Sequence, residues 1–443
     1  MKQEQHSFKW FSGLVIIATL VFGVVIGKGW EPTGYASESY EELKVFAEVL
    51  TQVKKHYVEE SETKSLVYGA IRGMLAGLDP HSSYMTSDMY KEMQVETKGE
   101  FGGLGIQIGI KNHRLTVIAP IEDTPAHAAG IQAGDVISHV HETPTKDLTL
   151  MEAVQKLRGL KGTQVSLTVL REGSPDPLEF TITRDTIKIH SVRSKVLDDT
   201  IGYVRITQFQ EATPQDLGIA LNELREKNVQ ALIIDLRNNP GGLLTAAVGV
   251  SEYFLPADKL IVSIKGRNGR KDEYRAGLNG EPFAYPMIVL VNEGSASASE
   301  IVAAAMQDWG KAVIVGKTTF GKGSVQTILP LTDGSGLRLT TAKYYTPSGE
   351  SIHSIGVKPD IVVEPAPVPV KKNVSGEQKD ETKAEPRLPQ AIESNESSNS
   401  PKADESREAL SDKEAQAVKN DVQLQKAIEL LKTWKVFKQL QPV

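Results

Sequence analysis

"PMIVLVNEGSASASEIVAAAMQDWG", residues 286–310, is the stretch on which the fold turns. An apolar run, Met287 to Val291, reads as a short buried strand and hands over to an alanine-rich stretch of helical character. Three serines, Ser295, Ser297 and Ser299, stand at alternate positions across that junction. Ser297 followed by Glu300 fits the S-x-x-E capping box, in which a serine oxygen and a glutamate carboxylate each satisfy an orphan amide of the helix start. "ALIIDLR" (231–237) supplies a second strand, and helical stretches alternate with such strands, so residues 186–363 read as an α/β domain. The serines leave a question that the motif alone does not answer. They are either a plain helix cap or the carrier of a nucleophile.

Working outward, the 443 residues suggest roughly three domains, on a prior of about 150 residues each. An apolar fraction of 40% and a charged fraction of 24% are those of ordinary globular protein. A net charge of -6 offers no basic face able to track phosphates, so nucleic acid is not an expected partner. The absence of cysteine excludes disulfides, thiol catalysis and thiolate metal sites, and the nine histidines are scattered without ligand spacing. Neither a metal nor another cofactor is expected. Phe11 to Gly27 is apolar and uncharged, with Lys2 and Lys9 before it and Glu38, Glu41 and Glu42 after it. Residues 1–36 therefore read as a signal anchor with a cytoplasmic start, or as a signal peptide cleaved after "GYA"; either way the remainder is exported.

Residues 37–98 carry apolar positions at helical spacing and read as an N-terminal helical region, with one helix stopped at Gly77, Asp79 and Pro80. Residues 364–410 are rich in Pro, Ser, Glu and Lys and nearly free of aromatics, which is the composition of a disordered linker. Residues 411–443 close with a helix whose Leu424, Ile428, Leu431 and Trp434 form an apolar stripe behind an Asn420 or Asp421 cap.

From residue 99 to 185 the texture changes to short strands and glycines. Gly102 and Gly103 permit a tight loop whose amides could converge on a terminal carboxylate. Leu104, Ile106, Ile108 and Ile110 alternate as in a strand to which an extended peptide can add, and Leu148 to Arg158 reads as a helix forming the opposite wall. With "FGGLGI" (101–106) and "PAHAAGIQAGDVI" (125–137), this segment resembles a PDZ domain. Gly102, Gly103, Leu104, Gly105 and Ile106 are then the expected peptide-binding residues.

Four further pieces lie in the α/β segment: "DLRNNPGGLL" (235–244), "GSASASEI" (294–301), "AAAMQDWG" (303–310) and "GKTTFGKGSVQ" (316–326). Together with the PDZ segment and "LDPHSSY" (78–84), they resemble the carboxyl-terminal processing, or tail-specific, proteases. These are serine endopeptidases with an inserted PDZ domain. The resemblance implies Ser297 as nucleophile, Lys322 as general base and Gln326 as the residue that positions the lysine. It further implies an oxyanion hole at Ala298 and the Gly241–Gly242 pair, with Glu300, Asp308 and Thr319 as supports. Protein substrates with apolar C-terminal tails, gating by PDZ movement, homo-oligomers, an envelope adaptor and a periplasmic or inner-membrane location follow by the same resemblance.

The residues agree with these roles on chemical grounds. A serine hydroxyl needs a neighbouring base, and a lysine can be that base only if burial lowers its pKa. The apolar flanks "AVIVG" and "VQTIL" could provide such surroundings. A helix start after a strand places the amide of Ala298 near a developing oxyanion, and "NNPGG" can turn a second amide to the same point. "GKTTFGKG" (316–323) also reads as G-x-x-x-x-G-K, but Gly323 stands where a phosphate-binding loop needs Ser or Thr. The alternative from another class is an adaptor whose PDZ domain holds tails without cutting them.

Overall fold

The computed structural model describes residues 35–198, 200–277, 283–365, 416 and 418–440. The expected anchor or signal segment and almost all of the expected linker lie outside the described residues. No described helix is long and apolar enough to cross a membrane.

The chain divides into two units, residues 1–84 and 85–443. In the first, helices Tyr35–His56 and Thr63–Ala76 realise the expected helical region, the second ending at Gly77. The turn that follows is organised by Asp79, whose carboxylate accepts the amides of His81 and Ser82 at 2.7 and 2.8 Å.

The second unit starts with the helix Ser87–Lys98, which Gly99 stops in the left-handed region at φ 75°. A PDZ fold follows. Strands Ile106–Lys111, Arg114–Pro120, Val136–Val140, Gln164–Leu170 and Leu178–Thr183 form a sheet around a core that includes Leu115, Val117, Ile137, Val165 and Val169. The helix Leu150–Leu157 covers it, started by a capping box between Thr149 and Glu152. Phe101 to Gly103 behave differently from expectation. They belong to a strand, Glu100–Gly103, paired with Asp185–Lys188, and not to a tight loop. Gly102 serves close backbone approach there, because a Cβ would lie 2.0 Å from the Gly159 carbonyl oxygen. The left-handed turn sits two residues later, at Gly105 with φ 78°.

The α/β domain is built on six strands in the order Val192–Leu197, Ile201–Ile206, Ala231–Asp235, Met287–Val291, Val313–Gly316 and Ile361–Val362. Only the first pair is antiparallel. Strands buried on both faces must be apolar throughout, which is why "ALIID" and "MIVLV" show no alternation. Helices Thr213–Glu226, Leu244–Glu252 and Ala298–Asp308 pack on one face around Val204, Ile206, Leu232, Ile234, Val289 and Val291. The opposite face, with Ile201, Ile233, Ile288, Leu290 and Val315, is covered by the C-terminal helix Val422–Leu440. Leu424, Ile428 and Leu431 of the predicted stripe are buried there, whereas Trp434 stays exposed. Asp421 provides the cap, accepting the Leu424 amide at 3.0 Å. This helix is therefore part of the α/β domain. A smaller sheet, in which Gly336–Tyr345 lies between Ser324–Pro330 and Leu260–Gly266, flanks the site.

Candidate active site

Ser297 stands at the junction of strand Met287–Val291 and helix Ala298–Asp308 with φ 56° and ψ -112°. That backbone is unfavourable for a residue with a Cβ and typically costs about 1–3 kcal/mol, a cost that persists only where the surroundings over-determine it. The surroundings do so here. Ser295 Oγ donates to the Leu236 carbonyl at 2.8 Å, and Ser299 Oγ donates to the Asn239 carbonyl at 2.9 Å. The two flanking hydroxyls are thus consumed in holding the turn to the loop after strand Ala231–Asp235. The hydroxyl of Ser297 instead pairs with the phenol of Tyr344, whose pKa is raised by burial although this hydrogen bond lowers it in part.

Glu300 is fully buried and accepts four hydrogen bonds. Its Oε2 takes the Ser297 amide at 2.7 Å and the Lys322 amide at 2.9 Å. Its Oε1 takes the Thr319 hydroxyl at 2.5 Å and the Gly321 amide at 2.7 Å. One carboxylate thus closes the helix start, as the capping pattern predicts, and also fastens the loop that carries Lys322. Thr319 extends the clasp by accepting the Val357 amide at 2.7 Å. Asp308, the third expected support, lies at the far end of the helix and accepts the Ser348 amide at 2.8 Å.

Lys322 is half-buried, and its pKa is lowered by that burial and then by the Arg338 cation, while Glu300 pulls the other way. Its ammonium makes no hydrogen bond or ion pair among the described residues. Gln326 lies on the strand Ser324–Pro330 and Lys322 in the loop before it, so strand alternation does not relate the two. Its Nε2 donates to Thr340 Oγ1 at 2.7 Å, and its Oε1 is buried without a partner.

Gly241 and Gly242 adopt φ 102° and 144°. A Cβ on Gly241 would lie 2.8 Å from Ser297 Cβ, and one on Gly242 would lie 2.1 Å from the Phe209 carbonyl oxygen, so glycine is required at both. Asn239 organises this loop. It donates through Nδ2 to the Ile206 carbonyl at 2.8 Å and accepts the Gly241 amide on Oδ1 at 2.9 Å. The Gly241 amide is thereby engaged, whereas those of Gly242 and Ala298 meet no acceptor among the described residues. His353 offers no competing triad: its Nδ1 is buried without a partner, so no carboxylate orients it. Loop 317–323 leads into a strand and not a helix, which removes the phosphate-loop reading.

In the PDZ fold, a groove of about 80 Å³ is walled by Gly103, Leu104, Gly105 and Ile106 on one side and by Val154 and Leu157 on the other. Leu104 itself is core, and Ile110, near the end of its strand, is exposed. Arg158 closes one end, stacked 4.4 Å above the Phe101 ring and ion-paired to Glu92 of the preceding helix. Asn239 lies within "NNPGG", which does not disclose its clamping role, whereas Tyr344 and Arg338 carry no sequence signal. They reach the site only through pairing between distant strands and loops.

A strained serine at a strand-to-helix turn, a half-buried lysine fastened to the same carboxylate and a PDZ groove define a PDZ-bearing serine peptidase. Residues 200–363 match the model of Peptidase family S41, residues 92–170 that of the PDZ domain, and residues 30–89 that of the activating protease CtpB N-terminal domain. A carboxy-terminal-processing protease of Bartonella bacilliformis is 47% identical over 345 residues, covering 76% of this chain and 79% of that protein. A carboxyl-terminal-processing protease of Synechocystis is 37% identical over 373 residues, covering 78% and 86%. The photosystem II D1 C-terminal processing protease superposes with a TM-score of 0.43 at 32% identity, covering 72% of this chain and 92% of that one. The chain belongs to the carboxyl-terminal processing protease family and is a serine peptidase.

Proposed function

We propose that this protein is an exported endopeptidase of the bacterial cell envelope that cuts proteins near apolar C-terminal tails with a Ser297–Lys322 dyad. The observation that carries the dyad is the Glu300 carboxylate, which holds the backbone amides of both residues. Burial and Arg338 favour the neutral amine, the form able to act as base. Lys322 Nζ accepts the Ser297 proton as Oγ bonds to the scissile carbonyl carbon, and the negative charge moves to the carbonyl oxygen. The Ala298 and Gly242 amides donate to that oxygen, with Gly241 holding the loop in place. When the C–N bond breaks, the lysine returns the proton to the leaving amine. Water then attacks the acyl-enzyme with the lysine again as base.

Gln326 Oε1, an acceptor without a donor, suits the role of orienting the lysine, a donor without an acceptor. That these two are not paired, and that Ser297 meets Tyr344, supports a resting form which tail binding in the PDZ groove converts to the active one. The helix Ser87–Lys98 is placed to pass this on. It pairs with Arg158 at the groove and, through the Glu96 and Thr97 carbonyls, accepts hydrogen bonds from Gln210 and Glu211 of the protease core.

The test uses an unstructured protein with an apolar C-terminus. Ser297→Ala and Lys322→Ala each abolish cleavage while leaving tail binding intact. Tail binding by the wild type without cleavage, with or without added cell-envelope extract, would establish the adaptor reading instead.

A further inference from the structure

At the edge of the six-stranded sheet, on the face covered by the C-terminal helix, lies a cavity of about 330 Å³. Its lining includes Arg193, Lys195, Tyr203, Arg205, Arg237 and Asp421. Arg193 and Arg205 are directly opposite one another in the antiparallel pair, as are Lys195 and Tyr203. The period of two along a strand sends all four side chains to the same face. Like charges directly opposite destabilise a sheet unless something neutralises them.

The protein supplies too little neutralisation. Asp235 accepts the Tyr203 phenol at 2.7 Å and Arg237 at 2.6 and 2.9 Å, and Arg205 approaches it only to 3.9 Å. Asp421 accepts Arg237 at 2.8 and 2.7 Å. Asp421, which lines the cavity, and the buried Asp235 are therefore both committed to Arg237. Arg193 has no hydrogen bond or ion pair among the described residues, and Lys195 only overlies the Tyr203 ring at 5.7 Å. Four cations share two acids, and the two least satisfied, Arg193 and Lys195, lie two residues apart on one strand, with Arg193 set against Arg205. The C-terminal helix also turns the positive end of its dipole to this place, with Asp421 and Leu424 on the cavity wall.

We propose that this cavity binds a compact dianionic oxyanion, a phosphate or a dicarboxylate, held by Arg193, Arg205 and Lys195. Paired guanidinium N–H groups match the oxygens of either anion bidentately, and the ammonium adds a point charge. Two negative charges balance the excess of four cations over two carboxylates. Because the ligand lies against the first turn of the C-terminal helix, its binding stabilises the docked helix by mass action. The site is independent of the dyad, and its test reads binding and not cleavage.

The test is calorimetric titration of the full chain at constant ionic strength with inorganic phosphate, succinate and acetate. Saturable binding of a dianion is expected, with acetate at least tenfold weaker and Arg193→Ala weakening the dianion at least tenfold. Binding of phosphate but not succinate assigns a phosphoryl group; the reverse assigns a carboxylate ligand. In ligand-free buffer Arg193→Ala melts at or above the wild type, because one of two opposed cations is gone, and the dianion raises the melting temperature of the wild type alone. The proposal fails if neither dianion saturates, if acetate binds equally, or if Arg193→Ala leaves affinity unchanged. It also fails if that variant melts well below the wild type without ligand, since Arg193 would then be a structural residue.

Discussion

The two halves of the candidate site differ in how completely they are built. Around Ser297 the flanking hydroxyls, the Ser297 amide and the Asn239 side chain all have partners, and the strained backbone is held by them. Around Lys322 the backbone is fastened as firmly, yet the ammonium and the Gln326 acceptor are each without a partner among the described residues. Leaving a buried acceptor unmet typically costs about 1–3 kcal/mol. The half around Ser297 thus uses its hydrogen bonds for position, whereas the half around Lys322 leaves one donor and one acceptor unpaired among the described residues. Rigid placement of the backbone and late pairing of the side chains are compatible in one site.

The most severe way to break this comparison is Glu300→Ala, which removes the one group common to both halves. Four buried donors would lose their acceptor, so unfolding free energy should fall by at least about 3 kcal/mol in denaturant titration, with activity lost. Retention of stability would show that the halves are held by something else. A gentler probe reaches the half around Lys322 alone. Arg338→Leu removes a cation that disfavours protonated Lys322, so the lysine pKa rises and the ascending limb of the pH–kcat/KM profile moves to higher pH. The wild-type depression also has a sign in stability. The unfolded lysine binds its proton more tightly, so this group's contribution to stability improves as pH climbs from the depressed folded value towards about 10.4.

Ser297→Gly tests the strain itself. Glycine tolerates the backbone, so this variant should be more stable than Ser297→Ala by about 1 kcal/mol while being equally inactive. Equal stability would mean that the turn relaxes without cost. The smallest effect on the fold is expected for Gln326→Met, which deletes the unpartnered acceptor together with the Thr340 bond. Stability should change by less than about 1 kcal/mol, yet kcat should fall at least tenfold, and that split separates a positioning role from a structural one.

Much of this was legible in the sequence, and unevenly so. The strand and helix around Ser297 could be read because their patterns are local: an apolar run, a turn and a capping box within a few residues. The helix Val422–Leu440 could be predicted from its stripe, and its cap from Asp421, but not the sheet face it covers. The second task of Glu300 was hidden, because a capping pattern describes the residues beside it and is silent about a loop some twenty positions away. Gly102 and Gly105 illustrate the same limit. Glycine in a sequence announces permissiveness, and only the structure shows that one serves close approach and the other a left-handed turn. Tyr344 lies in "AKYYTPSG", where nothing distinguishes it from Tyr345 except the strand register that directs it inward.

The C-terminal helix imposes an order of events on the chain's biosynthesis. Ile201, Ile233, Ile288, Leu290 and Val315 have their covering layer only when Leu424, Ala427, Ile428 and Leu431 arrive. Arg237, at the root of the loop that carries Gly241, likewise waits for Asp421. A ribosome that has delivered the serine, the lysine and both glycines has still not delivered the lid of this sheet. The sheet is therefore finished by a segment made well after its strands, and a chain truncated after residue 365 would carry Ser297 and Lys322 without the layer that covers the sheet behind them.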